Sequence, residues 1–432
     1  MRAIRQHEEP SGASALPVPA TTRAAQRHTL VVLAVTQIVG TVGVGVAPSI
    51  GVLLAGEVTA NPAWAGLART ASTLGAALFG LPLGALAARF GRRLALAGGW
   101  WAAAGGGALL VIAAQWDQIM CLFVGLLLIG AGSAVSLQAR FAATDLAEPH
   151  HRARALALVV WVGTIGNVLG PNLGVPAQYM TSATGLTVYA GAFLIAAACL
   201  ALAGTAVFVW LRPDPLLLLE KTTTTGPRPA TARLRGGARR IFAEIRENPQ
   251  ARLAVVAIVT AQIVMVAIMT MAPVHVTNDG GSVTVVGITI SLHIAGMYAL
   301  SPLVGALADR AGHRATIAIG ILVLLASLAA GIAEPDQMLW MTVSMILLGV
   351  GWSFVNVAGS ALFSAVVSPE RRASAQGGVD ALSNLGGATA AFLAGPLLAA
   401  TGFSALSAIA IVALLPLIGL LATRNSRAIS PR

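Results

Sequence analysis

The stretch GALAARFGRR at Gly84–Arg93 returns as GALADRAGHR at Gly305–Arg314. Each copy lies between two long apolar segments and holds the same place in its half of the chain. A soluble enzyme has no reason to repeat a glycine–arginine turn between hydrophobic walls. A duplicated membrane bundle repeats it because both halves descend from one ancestral unit. The repeat therefore predicts two homologous membrane bundles.

The composition points to lipid as the surrounding medium. Of 432 residues, 56% are hydrophobic and only 10% are charged, whereas soluble domains carry about 25% charged residues. A water-exposed surface this poor in charge would aggregate, so a lipid bilayer must cover much of it. The chain is therefore expected to be an all-α membrane protein.

The apolar segments give the domain organisation. About 20 apolar residues are needed for one helix to cross a bilayer, and twelve such segments follow one another, six on each side of a Pro-, Thr- and Arg-rich stretch. This pattern predicts twelve transmembrane helices in two six-helix bundles. The predicted divisions are a disordered cytoplasmic tail 1–28, an N-terminal bundle 29–211, a cytoplasmic linker 212–251, a C-terminal bundle 252–424 and a second tail 425–432.

The arginines predict the orientation in the membrane. Loops on one side carry Arg89, Arg92, Arg93, Arg152, Arg154, Arg310, Arg314, Arg371 and Arg372, and loops on the other side carry Glu57, Asp117, Asp279, Glu334 and Asp336. Short loops rich in arginine stay in the cytoplasm. We therefore expect an inner or plasma membrane protein with both termini in the cytoplasm.

Several other functions are disfavoured. The net charge of +11 is spread over short loops, not gathered on one helix with aromatic neighbours, which argues against nucleic acid as a partner. The chain has no nucleophile elbow, no metal-ligand spacing and no phosphate-binding loop with lysine. We therefore expect no enzyme activity, no cofactor and no metal, and transport driven by an ion gradient or by the substrate's own gradient.

The two quoted stretches resemble motif A of the major facilitator superfamily, G-x-x-x-D-R-x-G-R-[KR]. The second copy has the acid as Asp309, whereas the first has Ala88 in its place. In that family the motif acid helps to close the cytoplasmic gate between two parallel halves that rock around a central cavity. Ala88 leaves two alternatives, a weaker gate or compensation by another residue. The matched positions are Gly84, Arg89, Gly91, Arg92 and Arg93, then Gly305, Asp309, Arg310, Gly312 and Arg314.

The fifth apolar segment resembles motif C, G-x-x-x-G-P-x-x-G, through Gly166, Gly170, Pro171 and Gly174. Within the superfamily this motif is typical of antiporters, notably drug exporters. The resemblance implies proton-coupled efflux of small lipophilic molecules by a monomer. Motif B departs from the pattern, because Leu126 occupies its arginine position. An uptake symporter or a uniporter therefore stays open, as does a receptor or scaffold that does not transport.

Ionisable residues inside a membrane are costly and usually functional. Asp380 and His293 lie inside apolar segments, and both residue types can carry a proton near neutrality. They are the candidates for proton coupling. Arg140 is expected to extend toward the membrane surface, and Arg69 either to extend outward or to pair with Glu57. The polar candidates for lining the cavity are Gln37, Gln138, Asn167, Asn172, Gln262, Asn356 and Asn384.

Overall fold

The computed structural model describes residues 20–61, 64–148, 151–222, 248–367 and 369–423, and these contain helices but no strand. Most of the two predicted tails and the middle of the predicted linker lie outside this part of the chain. The side chains of Arg152, Arg371 and Arg372, which contributed to the predicted orientation, are also outside it.

The first half contains six long helices, α1 to α6, followed by a short helix Pro215–Thr222. The bounds of the six are α1, formed by Ala20–Gly45, a π-helical turn Ala47–Gly51 and Val52–Thr59; α2, Trp64–Phe90; α3, Arg92–Trp116; α4, Ile119–Ala142; α5, formed by Arg152–Leu169, a 3₁₀ turn Gly170–Leu173 and Gly174–Thr184; and α6, Val188–Trp210.

The second half repeats the arrangement. Its helices are α7, Pro249–Asn278; α8, formed by Val283–Tyr298 and Ser301–Ala311; α9, His313–Ala333; α10, Met338–Val366; and α11 and α12, which share the segment Pro369–Ala422. We divide that segment at Gly402, whose φ of 78° and ψ of 175° are not helical. Thus α11 covers 369–401 and α12 covers 403–422.

This division gives the twelve helices that the sequence predicts. The described residues contain 11 apolar segments long enough to cross a membrane, and the last of them runs through both α11 and α12. A straight helix of 54 residues would be about 80 Å long, far more than a hydrocarbon core of about 30 Å.

Two boundaries differ from the prediction. Helix α1 begins at Ala20, so the residues from 20 to 28 are helical and not part of a disordered tail. The helix Pro215–Thr222 lies in the predicted linker. Its apolar run, four leucines after Pro215, was too short to be recognised as an element of its own.

Local signals explain where helices begin. The Asn248 side chain accepts hydrogen bonds from the backbone N–H groups of Gln250 and Ala251, and Pro249 occupies the first helical position of α7. The Ser282 and Thr187 hydroxyls cap α8 and α6 in the same way. Such caps satisfy N–H groups that the first helical turn leaves without a partner.

Each half has its own hydrophobic core. In the first half Trp100 is fully buried and lies against Gly40 and Gly132, which leave room for its indole ring. The second core also takes in Val52 and Ala65 of the first half. The two halves therefore share buried apolar surface where α1 ends and α2 begins.

Successive helices run in opposite directions, so their turns alternate between two ends of the molecule. We call the end with the turns at Gly91 and Gly312 the arginine end. The opposite end, with the turns that follow Glu57, Asp117 and Glu334, is the acidic end. Both motif A-like turns therefore lie at one end, as the repeat predicts.

Candidate functional site

Helices α5 and α8 join the two halves near the acidic end. The Ser291 hydroxyl donates to the Val168 carbonyl oxygen at 2.6 Å, and the Asn172 amide donates to the Ser291 hydroxyl at 2.6 Å. Further toward the acidic end, Gly174 lies against Val283. The predicted cavity residue Asn172 therefore closes the interface between the halves.

Helices α2 and α11 form the matching contact. The Thr70 hydroxyl donates to the Ala388 carbonyl oxygen at 3.1 Å. Gly66 packs against the backbone of Ala391 and Gly395, too closely for a side chain of any size. Small residues allow helices in a membrane to approach this closely.

The same faces separate toward the arginine end. On α11, Asp380 and Asn384 lie about two turns and one turn before Ala388, respectively, on the face that meets α2, and both are exposed. On α5, Trp161 and Ile165 continue the face of Val168 that meets α8, and both are exposed. The halves therefore enclose a cleft that is shut at the acidic end and open at the arginine end.

The motif C-like residues build the closed end. Gly166 packs against Thr41 of α1, and Gly170 packs against Gly45. Pro171 lies in the 3₁₀ turn of α5, and its carbonyl oxygen faces Gly287 of α8. The glycines thus let α5 approach α1, and the turn directs the end of α5 toward the other half.

The first motif A-like turn is held by ion pairs and hydrogen bonds within its own half. The Arg92 guanidinium pairs with Asp145 at 2.8 and 3.2 Å and donates to the Gln138 side chain at 3.0 Å. Asp214 accepts from the Arg93 backbone N–H at 2.8 Å. Asp145 and Asp214 thus supply the acid that Ala88 lacks, and Gln138 supports the turn instead of lining the cavity.

The second motif A-like turn has fewer partners. The Arg314 guanidinium donates to the carbonyl oxygens of Leu421 and Thr423 at the end of α12. Asp309 and Arg310 are exposed, and in the part of the chain that the structure describes Asp309 makes no ion pair. The motif acid is therefore available for another contact.

Asp380 lies opposite a cation of the other half. The Arg140 guanidinium of α4 acts electrostatically on the Asp380 carboxyl group. The Nε atom of Arg140 is buried and has no hydrogen-bond partner among the described residues. The Asn384 amide donates to the Asp380 backbone carbonyl oxygen at 2.9 Å and not to the Asp380 carboxyl group. Arg140 is thus half-buried on α4, within electrostatic range of Asp380.

Aromatic and cationic groups meet around Tyr298 of α8. The Tyr298 and Trp352 rings are 6.0 Å apart and edge to face, and the Trp352 indole N–H donates to the Gln262 side chain at 3.0 Å. Both Arg69 and Arg140 act electrostatically on the Tyr298 hydroxyl group. Arg69 is half-buried on α2 and lies within electrostatic range of Tyr298 and of His293 on α8.

His293 is in a different position. Its ring is fully buried between α8 and α10, where Nδ1 lies 2.8 Å from the Met345 carbonyl oxygen. Nε2 has no partner among the described residues. His293 lies on the side of α8 away from the Ser291 contact with α5 and packs inside the second half, where Arg69 of the first half is within electrostatic range of its ring.

The remaining predicted cavity residues are spread over both halves. Gln37 is buried on α1 beside Gly163. Asn167 has its backbone against Gly45. Gln262 holds Trp352, and Asn356 is half-buried on α10. Of the predicted polar set, Gln262 and Asn384 are therefore associated with the groups of the cleft.

Arg69, Arg140 and Tyr298 have only weak signals in the sequence. Arg69 lies next to Thr70, in the row of small residues through which α2 meets α11, and this neighbourhood marks the interface between the halves. Arg140 was misjudged because it lies close to the end of α4. Tyr298 was overlooked among apolar neighbours. Only the packing of the two halves brings these three residues together.

Comparison with known proteins agrees with this architecture. The profile described as Major Facilitator Superfamily matches residues 32–280 and 253–431. The chain belongs to this superfamily. It is therefore a multi-pass membrane transporter and not an enzyme. The two matched stretches together cover both halves.

Relatives of this transporter span nearly its whole length. The MFS-type transporter YdeG of Bacillus subtilis (strain 168) is 36% identical over 394 residues, covering 90% of each chain. The riboflavin transporter RfnT of Brucella anthropi is 28% identical over 394 residues, covering 90% of this chain and 93% of its own. The crystal structure of the nucleoside transporter NupG superposes with a TM-score of 0.70 at 16% identity, over 92% of this chain and 100% of that chain.

Proposed function

We propose that this transporter exports small, planar, drug-like molecules from the cytoplasm in exchange for protons. The observation that supports this is the cleft between the halves, which brings Asp380, two arginines and an aromatic pair together. The substrate binds there, and the halves then rock to open the cleft at the other end.

The groups around the cleft indicate the substrate class. Tyr298 and Trp352 offer aromatic faces, and Arg69 and Arg140 offer donors for which no acid competes at ion-pair distance in the described part of the chain. Aromatic rings stack on planar ligands, and guanidinium groups bind oxygen acceptors in the ring plane. A planar heteroaromatic molecule with several acceptors fits both. Riboflavin, the substrate named for RfnT, has this chemistry and is the first probe.

Asp380 is the proposed proton carrier. It lies on the cleft face of α11 and interacts with Arg140 of the opposite half. When the carboxyl group is charged, this attraction favours one arrangement of the halves, and protonation removes it. Arg140 thus serves where the motif B arginine is missing at Leu126. His293, inside the second half, is the less suitable candidate.

Asp309 is the proposed acid of the closing gate. Helices α5 and α8 are antiparallel and meet at Val168 and Ser291. Arg154 lies 14 residues before Val168, and Gly305 lies 14 residues after Ser291. These two positions are therefore at the same level of the two helices. Asp309 follows Gly305 by one turn on the same face. When the arginine end closes, Asp309 comes within reach of Arg154. In this proposal the arginine end faces the cytoplasm, as the arginine-rich loops favour.

The test is a flux assay in proteoliposomes with riboflavin and a panel of planar drugs. We expect a proton gradient to drive substrate movement by the wild type. Asp380→Asn should abolish gradient-driven movement but preserve counterflow, because substrate exchange needs no net proton transfer. Asp336→Asn, which changes an exposed acid at the acidic end, is the matched control. Gradient-driven flux by Asp380→Asn at the wild-type rate would refute the coupling role.

Symport or uniport on the same site is the second candidate, because Leu126 occupies the arginine position of motif B. A pH jump across the vesicle membrane separates the cases. Antiport moves substrate against the inward proton flow, symport moves it with that flow, and uniport does not respond.

A further inference from the structure

A separate cavity of about 500 Å³ lies at the arginine end, between the start of α1, the turn after α4 and the start of α5. Its volume is within the range of small-ligand sites. Neither the motif A-like turns nor the groups around Tyr298 contribute to it. Its polar lining includes Arg23, Arg27 and Arg154.

Among the described residues, the cavity lining carries more positive charge than its one acid, Glu148, neutralises. Arg23 pairs with Glu148 at 2.9 Å. Arg27 and Arg154 have no ion-pair partner among the described residues. The Gln26 amide donates to the Ala143 carbonyl oxygen at 2.8 Å, which fixes this wall of the cavity. Two guanidinium groups that line the cavity therefore have N–H donors available for an anion. Such donors are suited to bind a phosphate group.

The deeper part of the cavity is apolar. Leu30 follows Arg27 by three residues on α1, and Leu158 follows Arg154 by four residues on α5, so both lie about one helical turn deeper. Leu146 adds a third apolar wall. A soluble anion would make no favourable contact with these apolar walls. A molecule with a charged head and an apolar body matches both parts of the cavity.

The apolar part continues into the gap between the halves. Leu158 and Trp161 are exposed on the face of α5 that meets α8 further along. An acyl chain can therefore lie along Leu158 and Trp161 while its headgroup remains with the arginines.

We propose that this cavity binds the headgroup of an anionic phospholipid, with the phosphate between Arg27 and Arg154. Basic pockets between membrane helices are suited to such headgroups. When Arg154 is engaged by lipid, it is not available to Asp309. The bound lipid therefore favours the arrangement that is open at the arginine end, a consequence that rests on the proposed gate.

The test measures lipid binding and needs no transport assay, so its outcome is independent of the proposed function. Purified full-length protein is titrated with phosphatidylglycerol or phosphatidylcholine and followed by native mass spectrometry. We expect the wild type to prefer phosphatidylglycerol. The double variant Arg27→Gln/Arg154→Gln should lose affinity by about tenfold or more, because each arginine near the surface contributes about 1 kcal/mol.

Two controls keep the result interpretable. Arg252→Gln removes an exposed arginine at the start of α7, outside the cavity, and should bind like the wild type. Arg27→Lys/Arg154→Lys keeps the charge and should retain most of the binding, which excludes misfolding as the cause of a loss. Equal affinity of the wild type and the glutamine double variant would overturn the proposal.

Two further arms identify other occupants. Inorganic phosphate alone is tested first, and stabilisation that depends on the same arginines would assign the cavity to a soluble anion instead of lipid. A chain that begins at residue 20 is tested second. If only that shorter chain binds phosphatidylglycerol, the first 19 residues fill the cavity and the proposal fails. Lipid binding by both chains supports it.

Discussion

The turns at Gly91 and Gly312 have nearly the same backbone but different surroundings. Gly91 has φ 88° and ψ 170°, and Gly312 has φ 87° and ψ 150°, a region that only glycine adopts readily. The first turn is held by Asp145 and Asp214 of its own half. The second keeps its acid, Asp309, exposed. Duplication thus kept the shape of the turn while its electrostatic partners diverged.

The sequence explains this divergence once the pairs are known. In the second half, His313 occupies the position of Arg92. Asp145 lies four residues before Pro149, and the equivalent position, four residues before Pro369, is Ala365. The second half therefore has neither member of the Arg92–Asp145 pair. The first turn acts as a fixed internal clamp, and we propose that the second provides the movable contact.

The largest effect is expected from Asp145→Asn. The Arg92 and Asp145 side chains are only 13% and 11% exposed, so the change leaves a nearly buried guanidinium without its counter-charge. The expected loss is about 3 kcal/mol of unfolding free energy. Thermal unfolding in detergent measures it. The counterpart, Asp309→Asn, should unfold like the wild type. Equal losses of unfolding free energy in the two variants would show that the two acids do not differ in their contribution to stability.

Alanine substitutions at Gly91 and Gly312 should distinguish the cost of backbone strain from the cost of steric contact with neighbouring atoms. Both variants force a positive φ on a residue with a side chain, at a cost of about 1–3 kcal/mol. At Gly91 the new methyl group would also meet the Asp214 carboxylate, whereas at Gly312 it would point into open space. Gly91→Ala should therefore lower the unfolding temperature more than Gly312→Ala. The reverse order would show that the first turn is not clamped.

Asp309→Asn should slow transport without changing stability. If the closed gate gains about 1 kcal/mol from Asp309 and Arg154, as exposed ion pairs do, the loss corresponds to about fivefold in the closing equilibrium. Flux in proteoliposomes measures it. The exchanged pair Asp309→Arg/Arg154→Asp should recover part of the rate. No recovery, together with an unchanged rate in the single variant, would remove Asp309 from the gate.

The smallest effect is expected when the acid of the first motif is restored. Ala88 is exposed, and Arg92 already has its carboxylate. Ala88→Asp should therefore change the unfolding free energy by no more than about 0.5 kcal/mol. Thermal unfolding of Ala88→Asp alone and combined with Asp145→Asn tests this. A strong rescue of the combined variant would show that either acid can serve the turn.

The fold was predictable because its signals are local. Apolar segments long enough to cross a bilayer, and the repeated turn, were sufficient for twelve helices in two halves. The break at Gly402 was also anticipated, since a helix cannot cross the membrane twice without turning. The start of α1 was not predictable, because the polar first 28 residues with Pro10, Pro17 and Pro19 indicate a tail, although His28 is hydrogen-bonded to the Trp210 carbonyl oxygen.

The site was less predictable because its members come from different helices. A side chain on α4 near Asp380 of α11 has no sequence signature, since their approach depends on how the halves pack. The same holds for Asp145, whose role follows from the turn of α4 toward α5. Motif matching found the two turns and the glycines of α5, but it could not assign Gln138 to Arg92 or Arg69 to the neighbourhood of Tyr298.

The contact at Gly66 has a practical consequence. The two halves touch there through bare backbone, so one added methyl group would act as a wedge between α2 and α11. Gly66→Ala should bias the protein toward the arrangement that is open at the acidic end. Spin-label distances across that end should lengthen in Gly66→Ala and stay unchanged in Gly80→Ala, where the added carbon meets no atom. The missing side chain at residue 66 is thus what allows the two halves to meet at the acidic end.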